Sequence, residues 1–447
     1  MLRLLPLTLL LLCAGPAAAQ TTAPLDFGAA DEPAELPPRD VQTTEARVSV
    51  LGGPAYIGTE WHAGLGIEVE AATGPFSMHL GARLHAGVDG LRARETDELY
   101  DLARAVRYVR FDPQYLPVYA RLGPLERVTL GPGHLVRSFQ TISAWDERTV
   151  GVEAAARLRH VELAAFASDV RLNGLVGGRV GVTPFGARRP GLSSLHLGAT
   201  ALTDLGLPAE IATTALGLDA RLDVLRLGDF ALSPYVTYAT FLEYGDGFGA
   251  GVTFGGRDLG DFGRFAATAG FTVSSDAFIP GYFNAFYPLA HPEAGIWDAD
   301  AYYRDVADAT AHTPLADADG GTAIHLGLHA LVFSGFELAA FAKRSYTDAP
   351  LSEAGVRLAL TPARGERFRF VFDVQRQGRT TFWSLFGDFR DQNVLVFHLD
   401  YALSDLARLF VRSRYGFRRV ADAPDGTARY LVERRFEPLV GLRVHVR

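Results

Sequence analysis

Arg367-Phe368-Arg369-Phe370-Val371-Phe372-Asp373-Val374-Gln375 alternates like a two-sided ribbon. Successive side chains of a strand point to opposite faces. One face reads Phe368, Phe370, Phe372 and Val374; the other reads Arg367, Arg369, Val371, Asp373 and Gln375. The pattern returns at the end of the chain, where Val440, Leu442, Val444 and Val446 oppose Arg443, His445 and Arg447. A soluble sandwich alternates in the same way, so the rest of the sequence has to decide what the apolar face touches.

The first twenty residues bear on that question. Arg3 is followed by a short leucine-rich run and by Ala17-Ala18-Ala19. A positive start, a brief apolar core and small residues at its end make a secretory signal peptide over 1–19. The run falls short of the roughly 20 apolar residues that span a bilayer as a helix. Cys13 is the only cysteine and leaves with the signal. Leu12 precedes it, where a lipoprotein signal carries a small residue. The mature chain therefore has no disulfide, thiolate chemistry or cysteine metal site, which suits an exported bacterial envelope protein. Residues 20–45 are rich in Pro, Ala and acid and bury little, so a disordered periplasmic tail is expected there.

The chain has 447 residues, 48% of them hydrophobic, and a net charge of -8. A single soluble core rarely grows past about 300 residues, yet no linker divides the chain after the tail. A closed membrane barrel escapes this limit because lipid covers its apolar face. The mild acidity argues against nucleic acid as a partner.

From Ala46 on, strand follows strand. Trp61, Ala63, Leu65, Ile67, Val69 and Ala71 face away from His62, Glu68 and Glu70. After a Thr73-Gly74-Pro75 turn, Phe76, Met78, Leu80, Ala82 and Leu84 oppose His79, Arg83 and His85. Similar faces recur at Leu216–Val224, Ile324–Val332, Leu395–Leu403 and from Leu409 onward. Tilted strands of roughly 9–11 residues cross a bilayer, whereas soluble strands run nearer 5–6. Short turns such as Arg159-His160, Arg226-Leu227-Gly228-Asp229, Ser334-Gly335 and Ala363-Arg364-Gly365-Glu366 give an antiparallel up-and-down meander. The one helical spacing, at Leu99, Leu102, Ala103 and Val106, is read as a short loop helix over 95–106. The repeats amount to about 18 strands, within 16–20, even numbers being the bacterial norm.

Two connections are long, over about 274–321 and 125–148, and long loops are often functional. The first carries Phe278, Tyr282, Phe283, Phe286, Tyr287, Trp297, Tyr302 and Tyr303. Its aromatic residues either pack on a barrel rim or contact a sugar or apolar solute.

Signal peptide, long alternating strands, inward charge and tight turns together resemble a Gram-negative outer-membrane β-barrel protein of porin-like size. The resemblance covers 46–447 and is architectural. It implies a single barrel domain in contact with outer-membrane lipid and lipopolysaccharide, and it names no particular family or oligomeric state. Such barrels usually end in an aromatic residue; this chain ends in Arg447.

The expected lumen lining is Glu68, Glu70, Arg83, Asp219, Arg221, Arg367, Arg369, Asp373, His398, Asp400, Arg408, Arg412, Arg414 and Arg443. Arginines in a ring select anions, and carboxylates opposite offset them in an ion-paired wet interior. Arg408, Arg412 and Arg414 share a face with no acid and are the candidates for positive selectivity. Arg157, Glu153, Asp223, His79, His85, His325 and His329 are also expected inside. His325 and His329 share a face about 13 Å apart at 3.3 Å per residue, too far for one metal ion. The segment Gly131 to Gln140 either folds inward as a constriction with Arg137 at the narrow point, or forms an external loop.

Enzyme chemistry is not expected. His134 with Ser138 or Ser143 is the nearest approach to a hydrolytic pair, without the Gly-x-Ser-x-Gly elbow. Asp298, Asp300, Asp305 and Asp308 accompany Asp317-Ala318-Asp319-Gly320, which approaches a calcium loop. Leu315 and Leu326 stand where its first and last acids belong, so a solvated acidic loop is expected. The function implied is passage of a small polar or anionic solute with no cofactor. A plugged docking barrel, or a barrel enzyme acting on outer-membrane lipid, is the rival reading.

Overall fold

The computed structural model describes residues 45–446 apart from 93–94, 96–98, 114–115, 143–147, 186–189, 207–212, 257–262, 291–317, 333–335, 347–351, 361–367, 378–392, 405 and 423–427. The signal peptide, most of the tail, Arg367, Ser143, the turns at 334–335 and 363–366, Arg447 and the 291–317 acidic stretch with Asp317 thus lie outside the described residues.

Neighbouring strands pair antiparallel in chain order. Glu45–Ile57 pairs with Glu60–Thr73 on one side and with the last strand, Ala428–Val446, on the other; Ser49 lies opposite both Glu68 and Arg443. That second ladder closes the sheet into a barrel. Between these strands run Phe76–Gly87, Val106–Phe111, Val118–Gly123, Gly151–Arg157, Val161–Ala167, Leu175–Val182, His196–Asp204 and Thr214–Arg221. The wall continues through Phe230–Phe241, Asp246–Gly256, Arg264–Ser274, Gly321–Val332, Phe336–Ser345, Glu353–Leu360, Phe368–Gln377, Asn393–Ala402 and Ala407–Asp422. The ring holds 20 strands, correcting the expected 18. Two further pieces extend the wall: Gly90–Leu91 pairs with Phe76–Gly87, and Leu225–Leu227 pairs with Phe230–Phe241. The expected loop helix is one turn, Tyr100–Arg104, and Val106 already belongs to a strand.

Burial is inverted relative to a soluble protein. Leu65 is 63% exposed and Leu326 55%, while Glu68 is 2% exposed and Arg443 1%. Ile67, Leu218, Phe254, Phe271, Leu328 and Leu442 continue the exposed apolar face. Monomeric soluble proteins rarely leave large contiguous apolar patches uncovered. An outward apolar band on a closed antiparallel barrel is the arrangement of an outer-membrane barrel. The strands need no covering layer, because every wall strand finds backbone partners on both sides.

Candidate functional site: the filled interior

The main apolar core sits inside the ring. It joins Leu125, Val128, Leu130, Leu135, Val136 and Phe139 from one connection to Phe278, Ile279, Tyr282, Phe283 and Tyr287 from another, with Phe166, Leu175, Leu202 and Phe241 of the wall packed against them. Both connections leave the wall at the barrel end opposite the first and last strand termini, as the up-down order requires.

The first segment turns in at Gly123. Its φ is +152, and a Cβ there would lie 2.4 Å from the Arg107 carbonyl oxygen. Only glycine can lie so close to the backbone of a neighbouring strand. Beyond it, Val128 and Phe139 exchange backbone hydrogen bonds of 2.8 and 2.9 Å. The second segment adds to this turn: the Phe283 amide donates to the Leu135 carbonyl (3.1 Å), and the Arg137 amide donates to the Phe283 carbonyl (3.0 Å). Phe241, Phe278, Tyr282, Phe283 and Tyr287 then form one aromatic cluster; the Phe283–Tyr287 centroids are 4.9 Å apart and the Phe241–Phe278 centroids 5.2 Å. The described aromatics of the long connection are thus buried inside the ring, where the sequence reading placed them at a rim or on a solute.

Polar bonds fix the segments to the wall. Lys343 Nζ donates to the Pro280 carbonyl (2.7 Å) and pairs with Glu353 (2.8 Å). Asn284 Nδ2 donates to the same Glu353 oxygen (2.9 Å), and Tyr287 donates its hydroxyl proton to Asp204. His134 Nδ1 lies 3.0 Å from Thr237 Oγ1. Arg127 approaches Glu337 (3.6 Å) and Asp373 (3.9 Å), and Arg414 reaches the Ile142 carbonyl (3.5 Å). Burial, then the nearby Arg137 charge, pushes the His134 imidazole down to about 4. Burial alone is the leading cause that lowers Arg127 and Arg137 and raises the phenols of Tyr282 and Tyr287.

A second, ionic region lies against the strands at the closure. Arg83 bridges Glu437 (2.6 Å) and Glu68 (2.8 Å), and Arg412 reaches Glu68 at 2.9 Å. Arg83 and Glu437 belong to strands three spacings apart, about 14 Å along the wall. Such pairs form across the concave interior. His85 touches Glu437 (2.8 Å) and Glu95 (2.6 Å), and Arg435 touches Glu437 (3.1 Å). Toward the opposite end, Arg408 pairs with Asp400 (2.7 Å), and Arg443 approaches Glu70 (3.6 Å) and Asp400 (3.9 Å).

The anticipated residues are spread around the ring, and most of those described are buried or half-buried. Arg369 and Asp373 are buried, Asp373 beside Arg357 (3.5 Å), and Asp219 binds Arg179 (2.6 Å). His79 lies 3.6 Å from Glu68 and His329 3.6 Å from Glu337. Glu153 accepts the Tyr119 hydroxyl (2.8 Å), and Asp223 accepts Ser233 (2.7 Å). His398 and Arg414 are half-buried on the same side. Arg221, the last residue of its strand, is exposed, and Arg157 pairs with Glu162 at a partly exposed turn. Arg408 meets an acid of the neighbouring strand and Arg412 one three strands away across the closure, which reading one strand at a time did not show. The partners that sequence reasoning missed are Glu437, Arg435, Lys343, Glu353 and Asn284. Lys343 had a signal, being the only lysine in the chain. His134 and Ser138 form no hydrolytic pair: His134 is engaged with Thr237, and Ser138 accommodates a positive φ with its amide donating to Thr129. Among the described residues no group of three His, Cys, Asp or Glu is arranged to hold a metal.

No protein-family model matches the chain, and no curated protein matches it. Among solved structures it is similar to the outer membrane protein OpdK of Pseudomonas aeruginosa, at 11% identity over 91% of this chain and 100% of that one, TM-score 0.33. It is also similar to the ferric enterobactin receptor of Pseudomonas aeruginosa, at 11% identity over 90% and 80%, TM-score 0.36. A third is Wzi of Escherichia coli, a carbohydrate-binding outer-membrane barrel involved in group 1 capsule assembly, at 12% identity over 90% and 85%, TM-score 0.32. With superpositions this loose, the fold rests on the strand register and closure described above.

Proposed function

We propose that the chain is an outer-membrane channel that passes small polar or anionic solutes through an interior narrowed by its two inserted segments. One observation carries this reading: a closed, apolar-skinned wall encloses charged side chains and loop segments instead of a uniform apolar core. The whole chain is acidic, yet among the described residues that are buried, Arg and Lys slightly outnumber Asp and Glu. That excess tilts the interior field toward anions. Transport along such a route needs no cofactor and no bond-breaking step. The exposed aliphatic face contacts outer-membrane lipid and lipopolysaccharide after export.

A second reading has its own support. The aromatic cluster of Phe278, Tyr282, Phe283 and Tyr287 is fully buried, as a permanent plug of a docking barrel would be. Planar bilayers separate the two. Stepwise, anion-selective conductance supports the channel; silence up to high voltage supports the plug.

A further inference from the structure

Arg137 lies where the two inserted segments meet. Its amide donates to Phe283, and two residues before Phe283 the Gly281 amide donates to the His134 carbonyl (2.8 Å). The arginine side chain runs over Gly133: a Cβ there would sit 2.9 Å from Arg137 Nε. A Cβ at Gly281 would lie 3.7 Å from Arg137 Cβ. Both glycines have positive φ, +77 and +67. Gly133 therefore leaves this side chain its room, while Gly281 only touches its base.

The guanidinium makes no hydrogen bond or ion pair with the described residues, and its side chain is half-buried. The carboxylate whose charge acts on it, Glu353, is held by Lys343 and Asn284 through one oxygen. Tyr235 is close too, with its hydroxyl 2.6 Å from His325 Nε2. The Glu353 carboxylate is thus committed to Lys343, and Arg137 has no carboxylate of its own among the described residues. A cation partly withdrawn from water without a bonded partner is held at a cost, and an anion beside it offsets that cost.

We infer that the joint over Gly133 and Gly281 is a binding site for a small oxyanion, carboxylate or phosphate, held by the Arg137 guanidinium. The planar fork of arginine matches two oxygens of such a group, which a lysine ammonium does not. The inference deepens the channel reading by naming the solute class, but binding itself does not require conduction.

The test is calorimetric titration of the detergent-solubilised full chain with acetate and, separately, with inorganic phosphate. At least one arm saturates in the parent protein. Arg137→Gln weakens that binding at least tenfold, and so does Gly133→Ala, which keeps the arginine but takes its space. Arg344→Gln, on an exposed arginine stacked over Tyr346, leaves it unchanged. Heat-dependent gel migration confirms that each variant retains a closed barrel. Absence of saturation by either anion in the parent, or equal binding by Arg137→Gln, overturns the site. Binding with silent bilayers leaves the site standing and removes the channel. Anion-selective conductance without binding does the reverse.

Discussion

Truncating Phe283 to alanine tests how the interior segments are held. The ring is fully buried, 5.9 Å from Phe241 of the wall, 5.3 Å from Tyr282 and 4.9 Å from Tyr287 between centroids. Removing a buried phenylalanine ring costs about 3–5 kcal/mol. The backbone bonds of residue 283 to Leu135 and Arg137 survive the substitution, so the loss falls on packing between the segments and the wall. At roughly 1.4 kcal/mol per tenfold change, opening of the segments should become at least about a hundredfold more frequent. Hydrogen exchange reads this directly: the amides of Arg137 and Phe283 should exchange faster, while Ile67 in the wall should not. Single-channel conductance in planar bilayers should rise together with that exchange. If both amides keep their parent exchange rates in a folded Phe283→Ala barrel, the aromatic cluster does not hold the segments in place.

Three further outcomes follow from named contacts. Glu437→Gln removes the carboxylate shared by Arg83, His85 and Arg435; the cations left behind should shift the bilayer reversal potential toward anions and lower the barrel's melting temperature, since breaking a buried pair costs about 3–5 kcal/mol. His134 has a folded pKa of about 4 against an ordinary 6.5, so a released segment binds a proton that the inserted segment refuses. The stabilisation is complete above about pH 6.5, falls as pH drops toward 4, and amounts to about 3 kcal/mol; exchange at 134–137 should quicken over that window, and His134→Gln should flatten the dependence. Gly123→Val forces a branched side chain against the Arg107 carbonyl; it should reduce the yield of heat-modifiable barrel on refolding, measured by gel shift.

The wall was legible in the sequence wherever its two faces differ in chemistry. Arg369 and Asp373 against Phe370 and Phe372, or Glu68 and Glu70 against Ile67 and Val69, admit one orientation only, because a one-residue slip exchanges the faces. The short strands between 106 and 182 carry little such contrast. Ala154-Ala155-Ala156 and Gly177-Gly178 are alike on both sides, and the strand count came out low for that reason. The inserted segments were half legible. Phe278, Tyr282 and Phe283 are more apolar than a solvated loop needs, yet no periodicity states that a loop turns inward. The ion pairs were not legible as pairs: Arg83 and Glu437 lie 354 residues apart and meet only because the first and last strands close the ring.

The sidedness of the wall is the claim on which the rest depends. Single cysteines along Gly321–Val332, with Cys13 replaced, can carry nitroxide labels in liposome-embedded protein, and lipid-soluble oxygen then reports which positions face hydrocarbon. Labels at 324, 326 and 328 should be relaxed strongly and those at 323 and 325 weakly, alternating residue by residue. Equal relaxation along the strand, or strong relaxation at 323 and 325 in place of 324 and 326, would contradict a barrel whose aliphatic face meets lipid and whose charged face is enclosed.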